Sequence, residues 1–283
     1  MPICGMTRQK INTMSANPMT PMITLLRTSS LAAGGATVPG SPSGELCAMA
    51  GACHTRHDPP GRTPHHVGQD AAMRLDHLSY ACTTNEIADV VQRIGSDLGG
   101  TFVDGGRHPS FGTRNFILPL AGGAYVEVVS ALDHPAALKA PFGQAVHQRA
   151  DDGGGWLSWV LAVDDITPVE RRLGRQAVRG HRIRPDGVEL CWQQIGILDT
   201  MESPQVPFFV AWDCEDTEHP SAGGSNSGIT ISTIEIAGDP QAVLPILDPE
   251  SVLEGVELQW IDDDEPGVSA VIFDTPAGSV RID

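Results

Sequence analysis

Residues 115–129, Asn-Phe-Ile-Leu-Pro-Leu-Ala-Gly-Gly-Ala-Tyr-Val-Glu-Val-Val, are echoed by residues 269–283, Ser-Ala-Val-Ile-Phe-Asp-Thr-Pro-Ala-Gly-Ser-Val-Arg-Ile-Asp. Each copy reads as a buried strand, a Pro/Gly turn and a second strand with alternating faces. A supersecondary unit that recurs in one chain points to duplicated modules. Each copy also carries one charged residue at the equivalent place, Glu127 in the first and Arg281 in the second. A carboxylate inside a packed sheet costs free energy unless something positive faces it. Glu127 is therefore a candidate site residue whose partner is a metal ion, a substrate or an arginine.

Outward from the first copy, Arg74 to Cys82 alternates as a strand with Leu75, His77, Ser79 and Ala81 on one face and Asp76, Leu78, Tyr80 and Cys82 on the other. Thr84 supplies a helix cap and Glu86 early negative charge. Ile87, Val90, Val91, Ile94 and Leu98 then follow at helical spacing until Gly99-Gly100. Thr101 to Val103 predicts a short strand, Gly105 to Gly112 a glycine-rich loop, and the hairpin about Gly122-Gly123 completes the order βαβββ. After a helical connection over His134 to Ala150 the order begins again. Trp156 to Val163 reads as a strand, Pro168 to Val178 as a helix, and Gly187 to Ile197 and Pro207 to Trp212 as strands. A linker, Gly223 to Gly228, leads to a partial third copy that ends in the quoted hairpin. The expected fold class is α+β, with βαβββ modules over 73–150 and 151–222 and a partial third over 223–283.

Residues 1–72 differ in kind. They contain no Phe, Trp or Tyr and carry 5 basic and 3 acidic residues, against 13 basic and 32 acidic after Ala72. Broken by Pro, Gly, Ser and Thr, the segment cannot bury enough apolar surface to offset ordering its backbone, and it is expected to be a disordered tail. Its apolar run, Met22 to Leu26 and Leu31 to Ala33, is interrupted and too far from the N-terminus for a secretory signal; a transit-like segment is the alternative. Met73 stands directly before the first strand, so residues 1–72 are also readable as an upstream extension. Cys47, Cys53, His54 and His57 lack the spacing of a zinc finger or ribbon. Cys82, Cys191 and Cys214 show no paired spacing, which suits a reducing, cytoplasmic setting. No apolar run has membrane-spanning length. The net charge of −17 argues against nucleic acid and anionic membrane as partners.

Five short stretches together carry a family resemblance: Leu-Asp-His-Leu at 75–78, Gly-Gly-Arg-His-Pro at 105–109, Gly-Thr-Arg-Asn-Phe at 112–116, Tyr-Val-Glu-Val-Val at 125–129 and Arg-Pro-Asp-Gly-Val at 184–188. On the βαβββ order and these stretches, the chain resembles the glyoxalase-like branch of the vicinal oxygen chelate superfamily over roughly Met73 to Trp212. The resemblance implies paired modules in a curved sheet whose concave face holds a divalent metal, the first and last strands supplying the ligands. It places His77 and Glu127 at ligand positions, a donor pair suited to iron, manganese, nickel or zinc. In the second module Ser158 falls opposite His77, and only Phe208 to Trp212 surround the position of Glu127, with Asp213 just beyond. A metal-free pocket is the other reading, with Glu127 paired to Arg114 or Arg281 and His77 a neutral donor.

In Gly105 to Arg114, Arg107 and Arg114 are candidate substrate-binding residues. Arg114 and His108 are candidates to contact or protonate substrate oxygens. Trp156, Trp159, Trp192, Phe208, Phe209 and Trp212 are mostly core by alternation, and those facing the concavity would line an apolar pocket. The run Asp262 to Glu265 reads as a solvated loop, and Gly153 to Gly155 precedes a strand and is no phosphate loop. The leading expectation is a metal-dependent lyase, isomerase or dioxygenase acting on an oxygen-chelating small molecule. The alternative is a metal-free binding or sequestering protein; a third reading, implied by the resemblance, gives the second and third modules a structural role as a scaffold or homodimer interface, because such modules commonly pair across subunits in that superfamily.

Overall fold

The computed structural model describes residues 73–247 and 253–283, and the tail expectations lie outside the described residues. The chain order begins β1 (Arg74–Ala81), α1 (Ile87–Leu98), β2 (Val103–His108), β3 (Thr113–Pro119) and β4 (Tyr125–Ala131). After α2 (Pro141–Asp151) come β5 (Gly155–Ala162), α3 (Thr167–Leu173), β6 (Val178–Ile183), β7 (Glu189–Ile195), α4 (Ile197–Glu202) and β8 (Phe208–Trp212). The first eight strands close into a barrel in the order β1-β4-β3-β2-β6-β7-β8-β5. In both halves the first strand runs parallel to the last, β1 with β4 and β5 with β8, as a duplicated βαβββ unit requires.

The halves meet at two unequal seams. β1 and β5 pair antiparallel along their whole length, from Arg74 opposite Ala162 to Ala81 opposite Gly155. On the far side β2 and β6 join only through Arg107 opposite Ile183.

Local chemistry sets the first module's boundaries. Helix α1 is entered by Thr83 and Glu86, whose side chains bond at 2.6 Å while the Thr83 N–H reaches the same carboxylate at 3.3 Å. Thr84, the cap expected from sequence, donates to the Ala131 carbonyl at 2.8 Å instead. Gly99 ends the helix at φ 67°, a conformation suited to glycine. The expected glycine-rich loop is strand in its first half and turn in its second: β2 runs through Gly105, Gly106, Arg107 and His108, with a bulge between Asp104 and Gly106. Glycine is needed there because a Cβ on Gly106 would stand 2.0 Å from the Ile183 carbonyl oxygen across the narrow seam. In the second module α3 stops at Leu173, short of the Val178 expected from sequence, and the chain returns as β6 over residues for which no strand was expected.

The third segment keeps the expected element types but pairs differently. β9 (Thr230–Ala237), β10 (Glu257–Ile261), β11 (Gly267–Thr275) and β12 (Gly278–Ile282) form a sheet in the order β10-β9-β11-β12. Here the first strand is parallel to the second rather than to the last. This sheet packs on the outside of the barrel: Val271 and Phe273 share a core with Trp156, Trp159 and Phe209, and Trp156 Nε1 donates to the Ile282 carbonyl at 3.0 Å. A second apolar cluster, including Phe111, Phe142, Trp192 and Phe208, packs beneath α2. Among the described residues no helix is long and apolar enough to cross a membrane.

Candidate active site in the barrel

Strand β1 has a register shift between Leu75 and His77. A bulge brings neighbouring residues off strict alternation, and Asp76 and His77 indeed touch, although simple alternation set them on opposite faces. Asp76 is fully buried, and its Oδ2 lies 2.7 Å from His77 Nδ1. Its other oxygen accepts from Trp212 Nε1 at 3.0 Å and from His219 Nε2 at 3.1 Å, and Arg74 adds an ion pair at 3.5 Å. Burial alone would raise the Asp76 carboxyl, but the hydrogen bonds from His219 and His77 overcome it and hold the group far below the usual carboxylate range.

An ionised carboxylate only accepts, so the proton of that contact sits on His77 Nδ1. Nε2 is left facing the interior, 3.9 Å from Glu127 Oε2. The imidazole is stacked on Tyr125 with ring centres 4.5 Å apart, which fixes its plane.

Glu127 is buried on β4, where it accepts from Ser79 Oγ at 2.7 Å and from Asn115 Nδ2 at 2.6 Å. Burial pushes its carboxyl up; the imidazoles of His77 and His108 and the bonds from Ser79 and Asn115 bring it below the ordinary value. Neither Arg114 nor Arg281 is its partner. Arg114 pairs with Asp104 at 3.1 Å, and Arg281 pairs with Glu235 at 2.8 Å on the outer sheet. The arginine near Glu127 is Arg182 of β6, 4% exposed, whose Nη1 is 3.5 Å from Asn115 Oδ1. Asn115 thus stands between the acid and the base.

His77, His108, Glu127 and Arg182 line one cavity of about 30 Å³ with aromatic walls that include Phe111, Phe142 and Phe208. That space is small, and a bound molecule of more than a few heavy atoms must displace the aromatic walls. His108 Nδ1 lies 2.8 Å from Thr113 Oγ1, and burial lowers its pKa to about 4, so it is neutral at pH 7. Three residues named from sequence, His77, Glu127 and His108, therefore converge. Arg107 and Arg114 line a separate open cleft of about 660 Å³ with Asp104, His134 and Arg184, and His108 borders both spaces.

Asp76 and Arg182 escaped the sequence reading. Asp76 was hidden by an unreadable bulge, and Arg182 by three charged or polar residues in a six-residue strand, Val-Arg-Gly-His-Arg-Ile. The adjacency Asp76-His77 was itself an available signal.

The donor set does not fit the divalent metal implied by resemblance. Strand register places Ser158 where the first half has His77, and Phe208 where it has Glu127. Both Glu127 oxygens already hold protein donors, and a buried guanidinium lies close by, which opposes a second cation. No group of three or more His, Cys, Asp or Glu side chains among the described residues is arranged for an ion.

Comparison with solved structures supports the architecture. A hypothetical protein from Staphylococcus aureus is similar over 71% of this chain and 90% of its own, with TM-score 0.54 and 16% identity, a likeness of fold alone. Methylmalonyl-CoA epimerase from Streptomyces coelicolor aligns over 51% of this chain and 97% of its own with TM-score 0.36 and 15% identity. The Mycobacterium tuberculosis epimerase aligns over 52% and 92% with TM-score 0.35 and 15% identity. No curated protein matches the chain. The model of the glyoxalase-like domain matches residues 75–248, more than half of the sequence and all of the barrel but its first residue, so the chain belongs to the glyoxalase-like family of the vicinal oxygen chelate superfamily.

Proposed function

We propose that the barrel interior is an acid–base site for proton transfer on a small carbonyl compound, making the protein a lyase or isomerase of the glyoxalase-like type that works with side chains. The observation that carries this reading is the Asp76–His77 contact at 2.7 Å, with Nε2 directed at Glu127 in a buried cavity. A buried carboxylate that fixes the tautomer of a histidine leaves the other nitrogen as a base and stabilises the imidazolium that forms. His77 Nε2 takes a proton from the carbon beside the carbonyl, and the C–H electron pair moves onto the carbonyl oxygen. The resulting imidazolium lies between Asp76 and Glu127, and return of its proton to another atom of the enolate completes an isomerisation. Neutral His108 and the aromatic walls keep bulk water out.

The test is carbon-bound deuterium uptake from D2O into pyruvate, 2-oxobutyrate and dihydroxyacetone, followed by proton NMR. Uptake with the wild type that falls at least a hundredfold in His77→Gln supports the reading, and equal uptake in that variant overturns it. Elemental mass spectrometry of protein starting at Met73 runs alongside. Near-stoichiometric metal lost in both His77→Ala and Glu127→Ala would overturn it in favour of a metal-dependent lyase, isomerase or dioxygenase. Tight ligand binding without any exchange would make the protein a binding or sequestering one.

A further inference from the structure

Arg182 is a guanidinium with five N–H donors, buried to within 4% of full enclosure, on the wall of the cavity. It is poorly satisfied: its bond to Asn115 Oδ1 is long, at 3.5 Å, and its Nε is buried without a hydrogen-bond partner. A buried donor left unpaired is costly, and more so when charged. The backbone has been cleared around this group. A Cβ on Gly105 would lie 2.7 Å from Arg182 Nη1 and 2.1 Å from Asn115 Oδ1.

We infer that Arg182 anchors a carboxylate on the ligand, so that the substrate of this cavity is a small carboxylic acid, such as a 2-oxo acid, rather than a neutral carbonyl compound. A carboxylate matches the fork of a guanidinium and supplies the missing acceptor. Glu127 does not take that role, because its two oxygens are held by Ser79 and Asn115 and it meets Arg182 only through the Asn115 amide. In the open cleft across His108, Arg114 is paired with Asp104 and Arg184 with Asp186, which leaves Arg107 as the cation there to favour an anion. The inference rests on reading the cavity as the reaction site.

The experiment is an NMR titration of the indole N–H signals with acetate and pyruvate, and with the neutral isostere acetamide, at pH 7. Saturable binding of both anions, at least tenfold weaker binding of acetamide, and at least tenfold loss of anion binding in Arg182→Gln with partial retention in Arg182→Lys are expected. Glu127→Gln should bind acetate more tightly, since it removes an opposing charge. Acetamide binding as well as acetate, no saturable anion binding, or unchanged binding in Arg182→Gln would overturn the inference. Should Arg182→Gln fail to fold, the acetate and acetamide comparison on the wild type decides. Arg182-dependent binding without deuterium exchange would sink the proton-transfer reading and leave this one standing. Exchange in the wild type that survives Arg182→Lys with unaltered KM would do the reverse.

Discussion

The two halves of the barrel share one strand plan and differ in what they put inside it. The first half contributes Asp76, His77, Asn115 and Glu127; at the positions matching His77 and Glu127 the second half has Ser158 and Phe208, and its charged contribution, Arg182, comes from β6, a middle strand. Duplication therefore preserved the backbone while the chemistry became one-sided, with acids and imidazoles on one wall and a single guanidinium on the other. A fold can be symmetric where its site is not, because strand pairing constrains the backbone and leaves inward side chains free to diverge.

The comparison breaks most decisively at Asp76. Asp76→Asn places an amide N–H₂ among three donors, and it is expected to cost about 3–5 kcal/mol in chemical denaturation and to reduce proton exchange by about 10⁴-fold. Survival of either at wild-type level would show that the first half is not organised around that carboxylate. His108 sets the acid limit. Its folded pKa of about 4 lies below the unfolded value near 6.5, so stability is complete above about pH 6.5 and falls as pH drops toward 4, by about 3 kcal/mol. Urea midpoints across that range should show the loss in the wild type and a flatter profile in His108→Asn. Gly105→Ala tests the close approach of the halves: it should lower stability by about 1–3 kcal/mol, whereas the same change at Gly122, whose Cβ would meet nothing within 4 Å, bears only the cost of its φ of 87°. The smallest effect is expected at Ser158, whose buried hydroxyl has no partner. Ser158→Ala should leave the melting temperature unchanged or raise it by a few degrees, in contrast to its counterpart His77.

Much of the fold was legible because it rests on periodicity and punctuation. Gly99, Gly122 and Gly123 take positive φ where the chain turns, and the apolar spacing of Ile87, Ile94 and Leu98 sets the buried face of α1. Strand β6 was not legible, since a strand that turns Gly180 and Arg182 inward and Arg179 and His181 outward lacks the apolar alternation that identifies strands. The site was legible in part for a related reason. His77 and Glu127 stand out as polar residues in apolar strands, but the contact of Asp76 with His77 depends on a bulge, and that of Arg182 with Asn115 on closure of the barrel between residues 67 apart in sequence. The pairing order of the outer sheet was hidden too, because Arg281 resembles Glu127 in sequence while β12 lies at a sheet edge.

The single pairing of Arg107 with Ile183 means that this barrel is closed in name more than in strength. β2 and β6 are fully paired on their other sides with β3 and β7, so it is the amides directed across this seam that hydrogen exchange should find among the fastest strand amides, while those of β1 and β5 open only with global unfolding.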